Sequence, residues 1–362
     1  MNSTSKTKSD YHLKILYVMG TSSGIGGLEQ HSFNLSRLMS QSHEVHFIAD
    51  QHYQQYFQQQ PLTVFHAVNF SKSRLNPCFI LHIFRLIKKI QPDIIHVQGG
   101  KAAKIISILL PYLKISSVVT VHGMKNHLYS YRRFDAIIAV SQRVADRFHQ
   151  FKNVHTIYNG IELPSQTFRP NINSQRRVVA VGRLDPVKAF DQLIIAWQEI
   201  DYPLDIIGEG SQRPMLTALI EKLGLQDKVR LLGYKQDILA EINNSQLLVI
   251  SSHKEGGPIV LAEALLLKVP VVATNVGMVA EFLPKPYIVE SAHSQHLKQS
   301  IQSALDNLAQ LELDFLGSFT KAEHELSLHR MYEKTFSLYH DLVKYPNLGK
   351  HNDLEKHHDL EK

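Results

Sequence analysis

Glu255 and Glu263 are the residues whose type and spacing best suit chemistry in this chain, and the stretch between them opens with Gly256, Gly257 and Pro258. A Gly-Gly-Pro turn at a helix start leaves backbone N–H groups without intrahelical partners, and these suit phosphate oxygens. Ionised carboxylates only accept hydrogen bonds, so two of them beside an anion site can hold hydroxyls on either side of a diphosphate. Upstream, in "VGRLDPVKAF", Arg183 and Lys188 stand at a strand-to-helix connection. Two cations there can clamp the same diphosphate. A Lys placed in a first helical turn opposes the helix dipole, so an anionic partner is favoured. Taken singly, each of these residues also fits an ordinary solvated or helix-face position; the argument rests on their combination.

A second phosphate-type loop lies near the N-terminus. In "YVMGTSSGIGGLEQH", Gly20, Gly24 and Gly26 follow an apolar run and precede a helical pattern. The spacing suits a dehydrogenase nucleotide loop. That chemistry needs a Tyr four residues before a Lys, so that the cation lowers the phenol pKa. None of the 14 tyrosines has one, and Tyr129, followed by Arg133, comes nearest. A glycine fingerprint alone is weak, and the dehydrogenase reading is set aside.

The elements that must position these loops follow from hydrophobic patterning. The first half alternates apolar runs ("LKILYVM", "EVHFIA", "DIIHVQ", "SVVTVH", "AIIAVS", "VHTIYNG") with helical patterns at 27–39, 79–90, 101–113 and 142–149. Continuous Val/Ile/Leu runs alternating with helices imply a parallel sheet covered on both faces. A Pro/Asn/Ser-rich linker at 163–175 interrupts the alternation, which restarts with "VVAVG", "LDIIG", "VRLLG", "LLVIS" and "VPVVAT". The expected fold is α/β, with two doubly wound, Rossmann-like parallel-sheet domains whose strand C-termini face each other across a cleft, where such sheets bind ligands. The length of 362 residues agrees with two domains. Cys78 is the single cysteine, which excludes an intrachain disulfide and reads as a small core residue.

At this point the chain resembles a family 4 retaining glycosyltransferase of the GT-B fold. The signs are G-R-L-x-x-x-K at 182–188, G-E-G at 208–210, L-G-L and V-R-L-L-G-Y within 223–234, E-G-x-P-x-V-L-A-E-A at 255–264 and P-V-V-A-T-x-V-G at 270–277. In the first half, G-G-x-E at 26–29, "HVQGGKA" at 96–102, "TVHG" at 120–123 and "YNGIE" at 158–162 also fit, as does "HRMYEKTFSLYHDL" at 329–342. The Gly that usually follows the Lys of the first motif is Ala189, and the usual V-G-G-x-x-E reads Val276-Gly277-Met278-Val279-Ala280-Glu281.

The resemblance implies an acceptor-side domain at 1–165, a nucleotide-sugar-binding domain at 166–323, a closing helix at 324–345 that packs back toward the first domain, and a disordered tail at 346–362. It implies transfer of a hexose from a nucleoside diphosphate sugar, UDP rather than GDP, to an acceptor hydroxyl with retention. By the same resemblance, Glu255 binds sugar hydroxyls and Glu263 the ribose. Gly256, Gly257, Pro258 and Ile259 form the donor-binding turn, and Gly26 and Gly27 offer backbone amides, with Gly20 only a turn. His122 resembles the family's histidine beside the reacting sugar, and can donate to a sugar hydroxyl or to the anomeric region. His122, Glu255, Arg183 and Lys188 make up the catalytic set. Alternatives are a sugar-nucleotide epimerase of similar shape and a non-catalytic nucleotide-sugar binder.

The chain contains no D-x-D, so no carboxylate pair for a divalent metal is expected, and no cofactor; Arg183 and Lys188 would neutralise the departing diphosphate instead. Charge is uneven. Residues 1–165 hold 18 Lys and Arg against 8 Asp and Glu, net +10, while the remainder nets −4. The absence of stacking or zinc motifs argues against nucleic acid. An anionic membrane surface or a phosphate-bearing, lipid-linked glycan acceptor fits, as in bacterial surface polysaccharide assembly. Lys101 and Lys104 are candidate acceptor-side cations, and the basic edge of "CFILHIFRLIKKI" could touch headgroups. No apolar run reaches the roughly twenty residues a membrane span needs. The expected location is the cytoplasm, peripherally on the inner membrane.

Overall fold

The computed structural model describes residues 12–22, 24–58, 60–125, 127–163 and 176–345. The expected tail and nearly all of the expected linker lie outside the described residues. Two compact units emerge. The first takes its described residues from 12–140, 145–157 and 331–345, and the second from 141–144 and 158–330. The division at 157/158 falls before the expected boundary at 165. The physical reason is that the intervening residues already bond within the second unit: Asn159 Nδ2 donates to the Gly257 carbonyl at 2.9 Å, and Ile161 bridges to Ser327.

In chain order the first unit contains β1 (Lys14–Met19), α1 (Gly27–Met39), β2 (Glu44–Ala49), β3 (Thr63–Ala67), α2 (Pro77–Ile90), β4 (Ile94–Gln98), α3 (Gly100–Leu109), β5 (Ser116–Val121), β6 (Ala136–Ala139) and β7 (Val154–Thr156); the short α4 (Gln142–Ala145), between β6 and β7, belongs to the second unit except for Ala145. The strands form one parallel sheet in the order β3-β2-β1-β4-β5-β6-β7. Its central strands are buried on both faces, which is why they read as continuous apolar runs. β3 gave no such run: it is the sheet edge, and Val64 and Ala67 are exposed. The helical pattern at 101–113 splits into α3 and a 3-10 turn at Leu110–Tyr112, where Pro111 enters. That at 142–149 reduces to α4 and the 3-10 turn Asp146–Phe148.

On α2 the apolar face is narrower than expected. Phe79, Ile83, Ile87 and Ile90 are buried at helical spacing, while Leu81, Arg85, Lys88 and Lys89 are exposed. Cys78 is exposed too, contrary to its expected core position, because it sits in the first turn of α2 out of phase with the buried stripe.

The second unit contains β8 (Val178–Val181), α5 (Phe190–Ala196), β9 (Leu204–Ile207), α6 (Arg213–Lys222), β10 (Val229–Gly233), α7 (Ile238–Asn243), β11 (Leu247–Ile250), α8 (Ile259–Leu266), β12 (Val271–Thr274), α9 (Val279–Phe282), β13 (Ile288–Val289), α10 (Ser294–Asp306) and α11 (Leu308–Glu325). Its parallel sheet runs β10-β9-β8-β11-β12-β13; the two-residue β13 is too short for a patterning signal. The last helix, α12 (Leu328–Lys344), starts in the second unit and from Met331 onward belongs to the first. Its buried Met331, Thr335, Leu338, Tyr339 and Leu342 form one stripe, and Phe336 stacks on His43 at 4.7 Å.

Each sheet has one point where the strand order reverses, between β1 and β4 in the first and between β8 and β11 in the second. Connections leave such a point in opposite directions, so the loops after its two strands border a crevice. Gly26, Arg183, Lys188 and Glu255 lie on those loops, while His122 follows β5 and Glu263 lies within α8.

Candidate functional site

In the second unit, Arg183 and Lys188 lie after β8, and Glu255 after β11, on the two sides of the reversal point. The structure joins two of them directly: Lys188 Nζ donates to Glu255 Oε1 at 2.6 Å. Ser252 Oγ donates to the same oxygen at 2.8 Å. The backbones are tied as well, Ser251 Oγ to the Lys188 carbonyl at 2.7 Å and His253 N to the Val187 carbonyl at 2.8 Å. Lys188 was expected in a first helical turn. It ends the 3-10 turn Pro186–Lys188 instead, so the dipole argument does not apply and its counter-charge is Glu255. The pair is largely shielded from water, while two of the three ammonium hydrogens are left over.

Ala189 follows in the left-handed region, φ 50° and ψ 39°, and is fully buried. This conformation suits Gly, and the resemblance has Gly at this position. Arg183 is different in kind. Its side chain is 78% exposed and bonds Asp185 Oδ2 by one Nη at 3.1 Å, leaving most of the guanidinium open.

Gly256, Gly257 and Pro258 lead into α8, with Pro258 as N-cap and Ile259 as its first residue. Gly277, at φ 53°, packs so tightly here that a Cβ would lie 2.6 Å from the Gly256 carbonyl oxygen. Thr274 Oγ1 adds a bond to the Ser252 carbonyl at 2.6 Å. The turn is therefore fixed from β12 as well as from α8. Glu263 is the fifth residue of α8, little more than one turn in rather than the two expected. Its carboxyl has no hydrogen-bond or ion-pair partner among the described residues, and burial pushes its pKa up to about 7.

In the first unit the G-G-x-E motif resolves into a cap: Gly26 N donates to Glu29 Oε2 at 2.9 Å, and Glu29 is buried. Gly27 opens α1. Gly20 is more than a turn. A Cβ there would lie 2.4 Å from the Ala102 backbone nitrogen, so the loop after β1 and the start of α3 need glycine to approach. Lys101 Nζ bonds the Phe70 carbonyl, and Lys104 is half-buried on α3.

His122 extends β5 by one residue. Its Nε2 meets Gln98 Oε1 at 2.7 Å, and the ring stands edge-on to His31 at 4.8 Å. Burial, with His31, His96 and Lys125 adding to it, holds its pKa well below the ordinary value, so the ring is neutral. With an amide oxygen facing Nε2, that nitrogen carries the proton and Nδ1 is an acceptor.

Sequence reasoning missed Asp185, Ser252, Gln98, His96 and Tyr339. A signal existed for Gln98 and His96: two polar residues at i and i+2 in a strand otherwise apolar on both faces. None existed for Tyr339.

Residues 25–164 match the family described as Glycosyltransferase Family 4, and residues 165–314 match the family described as Glycosyl transferases group 1. The chain is 26% identical to N-acetyl-alpha-D-glucosaminyl L-malate synthase of Bacillus anthracis, over 68% of this chain and 75% of that protein. It is 32% identical to a Campylobacter jejuni N-acetylgalactosaminyltransferase, named for a diphospho-undecaprenol-linked sugar, over 34% of this chain and 35% of that protein. Among solved structures, Anabaena HepE in complex with UDP-glucose superposes with a TM-score of 0.78 at 20% identity, covering 91% of this chain and 100% of the other.

Proposed function

Because the chain belongs, half by half, to the family 4 and group 1 glycosyltransferases and is a transferase of the GT-B class, we propose that it moves a hexose from a nucleoside diphosphate sugar to an acceptor hydroxyl with retention of anomeric configuration. The epimerase and non-catalytic alternatives fall with that membership. The observation that carries the reading is the pairing of Lys188 with Glu255 across the two loops of the β8/β11 reversal point, with Arg183 exposed on the first of these loops and Glu263, without a carboxyl partner among the described residues, in the helix that follows.

In this reading the diphosphate lies against the amides of the Gly256–Pro258 turn. Arg183 and the unused N–H groups of Lys188 take up the charge that grows on the leaving phosphate oxygen. Glu255, held by Lys188 and Ser252, accepts from hydroxyls of the sugar, and Glu263 accepts from the ribose. His122 accepts from a substrate hydroxyl through Nδ1. Same-face departure and attack, with the leaving phosphate taking the acceptor proton, preserves the anomeric configuration.

UDP is the favoured nucleotide, supported by the UDP-glucose of the HepE complex. The acceptor is a lipid-linked glycan. The basic first half and the name of the Campylobacter relative support this, while the malate of the Bacillus relative is the soluble counter-example. No helix of the described residues is long and apolar enough to cross a membrane. Attachment would be peripheral, on the cytoplasmic side, through Arg85, Lys88 and Lys89 of α2. The deciding experiment screens nucleotide sugars by thermal shift, then follows nucleotide release with lipid extract and reads the anomeric configuration of the product by NMR. Release that persists with a chelator is expected, because Arg183 and Lys188 serve as the counter-charge. Activity lost on chelation and restored by magnesium or manganese would overturn the metal-free mechanism, and an inverted product would overturn retention.

A further inference from the structure

Beneath His122 runs a continuous buried chain of hydrogen bonds. The parallel register places Tyr17 of β1 beside His96 of β4, and Gln98 beside Thr120 of β5. Residues two apart in a strand share a face, so these side chains and His122 all project from one side of the sheet. His122 Nε2 meets Gln98 Oε1 at 2.7 Å, and Gln98 Nε2 meets His96 Nε2 at 3.2 Å. His96 Nε2 also meets Thr120 Oγ1 at 2.6 Å, and His96 Nδ1 meets the Tyr339 hydroxyl, which lies 3.2 Å from that of Tyr17. His96, Gln98, Tyr17 and Tyr339 are fully buried.

Donor and acceptor rules make this chain directional. An amide nitrogen only donates, so His96 Nε2 must accept. The proton of the neutral His96 ring then sits on Nδ1 and is given to Tyr339, which donates onward to Tyr17. Gln98 Oε1 only accepts, so His122 carries its proton on Nε2. Reversing every bond gives the single other consistent order: Tyr339 donates to His96 Nδ1, Gln98 turns over, and His122 carries its proton on Nδ1. The two orders present opposite faces to a substrate hydroxyl, an acceptor in the first and a donor in the second.

We propose that Tyr339, acting from the C-terminal helix through His96 and Gln98, is a positioning residue that fixes the tautomer of His122 and so makes Nδ1 a hydrogen-bond acceptor. The proposal rests on the role assigned to His122 above. Burial supports it, since both imidazoles are held well below their ordinary pKa and stay neutral. Imidazolium donates from both nitrogens, so at His96 it would face the Gln98 amide N–H, and at His122 it would leave Nδ1 no longer an acceptor.

The test compares two variants that each remove one hydroxyl from His96. Tyr339→Phe takes away the acceptor of His96 Nδ1–H and favours the reversed order, in which Thr120 can still accept from Nε2–H. Thr120→Val takes away that alternative acceptor and keeps the original order. Folding of both is checked by thermal melts, and the tautomer of His122 is read in the free protein from its ring nitrogen-15 shifts, assigned with His122→Asn. The wild type and Thr120→Val are expected to show a protonated Nε2 and bare Nδ1. Tyr339→Phe is expected to show the reverse, with kcat lower by about tenfold or more, the scale of one lost hydrogen bond in the transition state, and donor KM little changed. The same tautomer in all three proteins, a protonated Nδ1 in the wild type, or a reversed tautomer with unchanged kcat would each overturn the proposal. If Tyr339→Phe does not fold, the wild-type tautomer and that of Thr120→Val still decide it. Failure to bind any nucleotide sugar would sink the proposed function and leave the tautomer result standing.

Discussion

Two sets of polar groups, one in each unit, are satisfied in opposite ways. In the first unit, His96, Gln98 and Tyr339 answer one another inside the protein. In the second, Glu263 has no partner for its carboxyl among the described residues and Arg183 turns most of its guanidinium to solvent. A region whose hydrogen bonds are closed internally has its geometry set before any ligand arrives. A region with open valences gains its missing partners from the ligand, and binding energy is realised there. Between these extremes stands the Lys188–Glu255 pair, closed on one side and open on the other.

The sharpest way to break this comparison is at Glu255. Glu255→Ala leaves Lys188 unpaired and removes an acceptor for the sugar, so turnover is expected to fall about a hundredfold, the cost of a lost charged hydrogen bond. Steady-state kinetics with donor varied would show it; a change of less than threefold would place Glu255 outside the chemistry. The next effect is at Glu263. Glu263→Gln is expected to weaken donor binding about tenfold with a smaller change in kcat. Wild-type affinity should strengthen as pH rises through about 7, because the carboxyl must ionise to accept ribose hydroxyls, and Glu263→Gln should flatten that slope. Calorimetry in buffers of different ionisation enthalpy reads the released proton.

The same residue gives a stability signature of opposite sign. Its folded pKa of about 7 lies above the ordinary glutamate value of 4.5. Below pH 4.5 both states hold the proton. Between the two values the unfolded chain releases it while the fold keeps it, so this contribution falls as pH rises, and it levels off above about 7. The drop is at most about 3 kcal/mol, and urea melts of wild type against Glu263→Gln at pH 5 and 8 isolate it.

The smallest effect tests the surface of the first unit. Lys88→Ala and Lys89→Ala are each expected to weaken co-sedimentation with anionic vesicles by about 1 kcal/mol, roughly fivefold, and added salt should weaken the wild type likewise. Equal binding to neutral vesicles, or none at low salt, would remove the membrane from the proposed function.

Much of this was legible in the sequence because backbone demands leave residue-type traces. The loop at 255–264 was readable because Gly256 meets Gly277 so closely and because Pro258 starts a helix. The central strands were readable because burial on both faces leaves few polar residues in them, His96, Gln98 and Thr120 among these few. β3 was not, since an edge strand mixes exposed and half-buried positions. The pairing of Lys188 with Glu255 was hidden because sequence spacing places two cations together and says nothing of a carboxylate 67 positions away. Tyr339 was invisible for the same reason on a larger scale, 243 positions from His96. Ala189 shows the converse: the sequence flagged a departure from the resemblance, and the left-handed backbone gives it meaning.

The return of α12 to the first unit has a consequence for how the chain is made. Tyr17 and Tyr339 share a hydrogen bond across 322 positions. A ribosome adding about 5–20 residues per second delivers the second phenol roughly 20–60 s after the first. During that interval the first sheet lacks the helix that covers Tyr17 and His96, and by its end nearly all of the second unit, from Tyr158 to Arg330, has been made. The half that leaves the ribosome first is the half that finishes last, and its open sheet face is the surface that a chaperone on the nascent chain would meet.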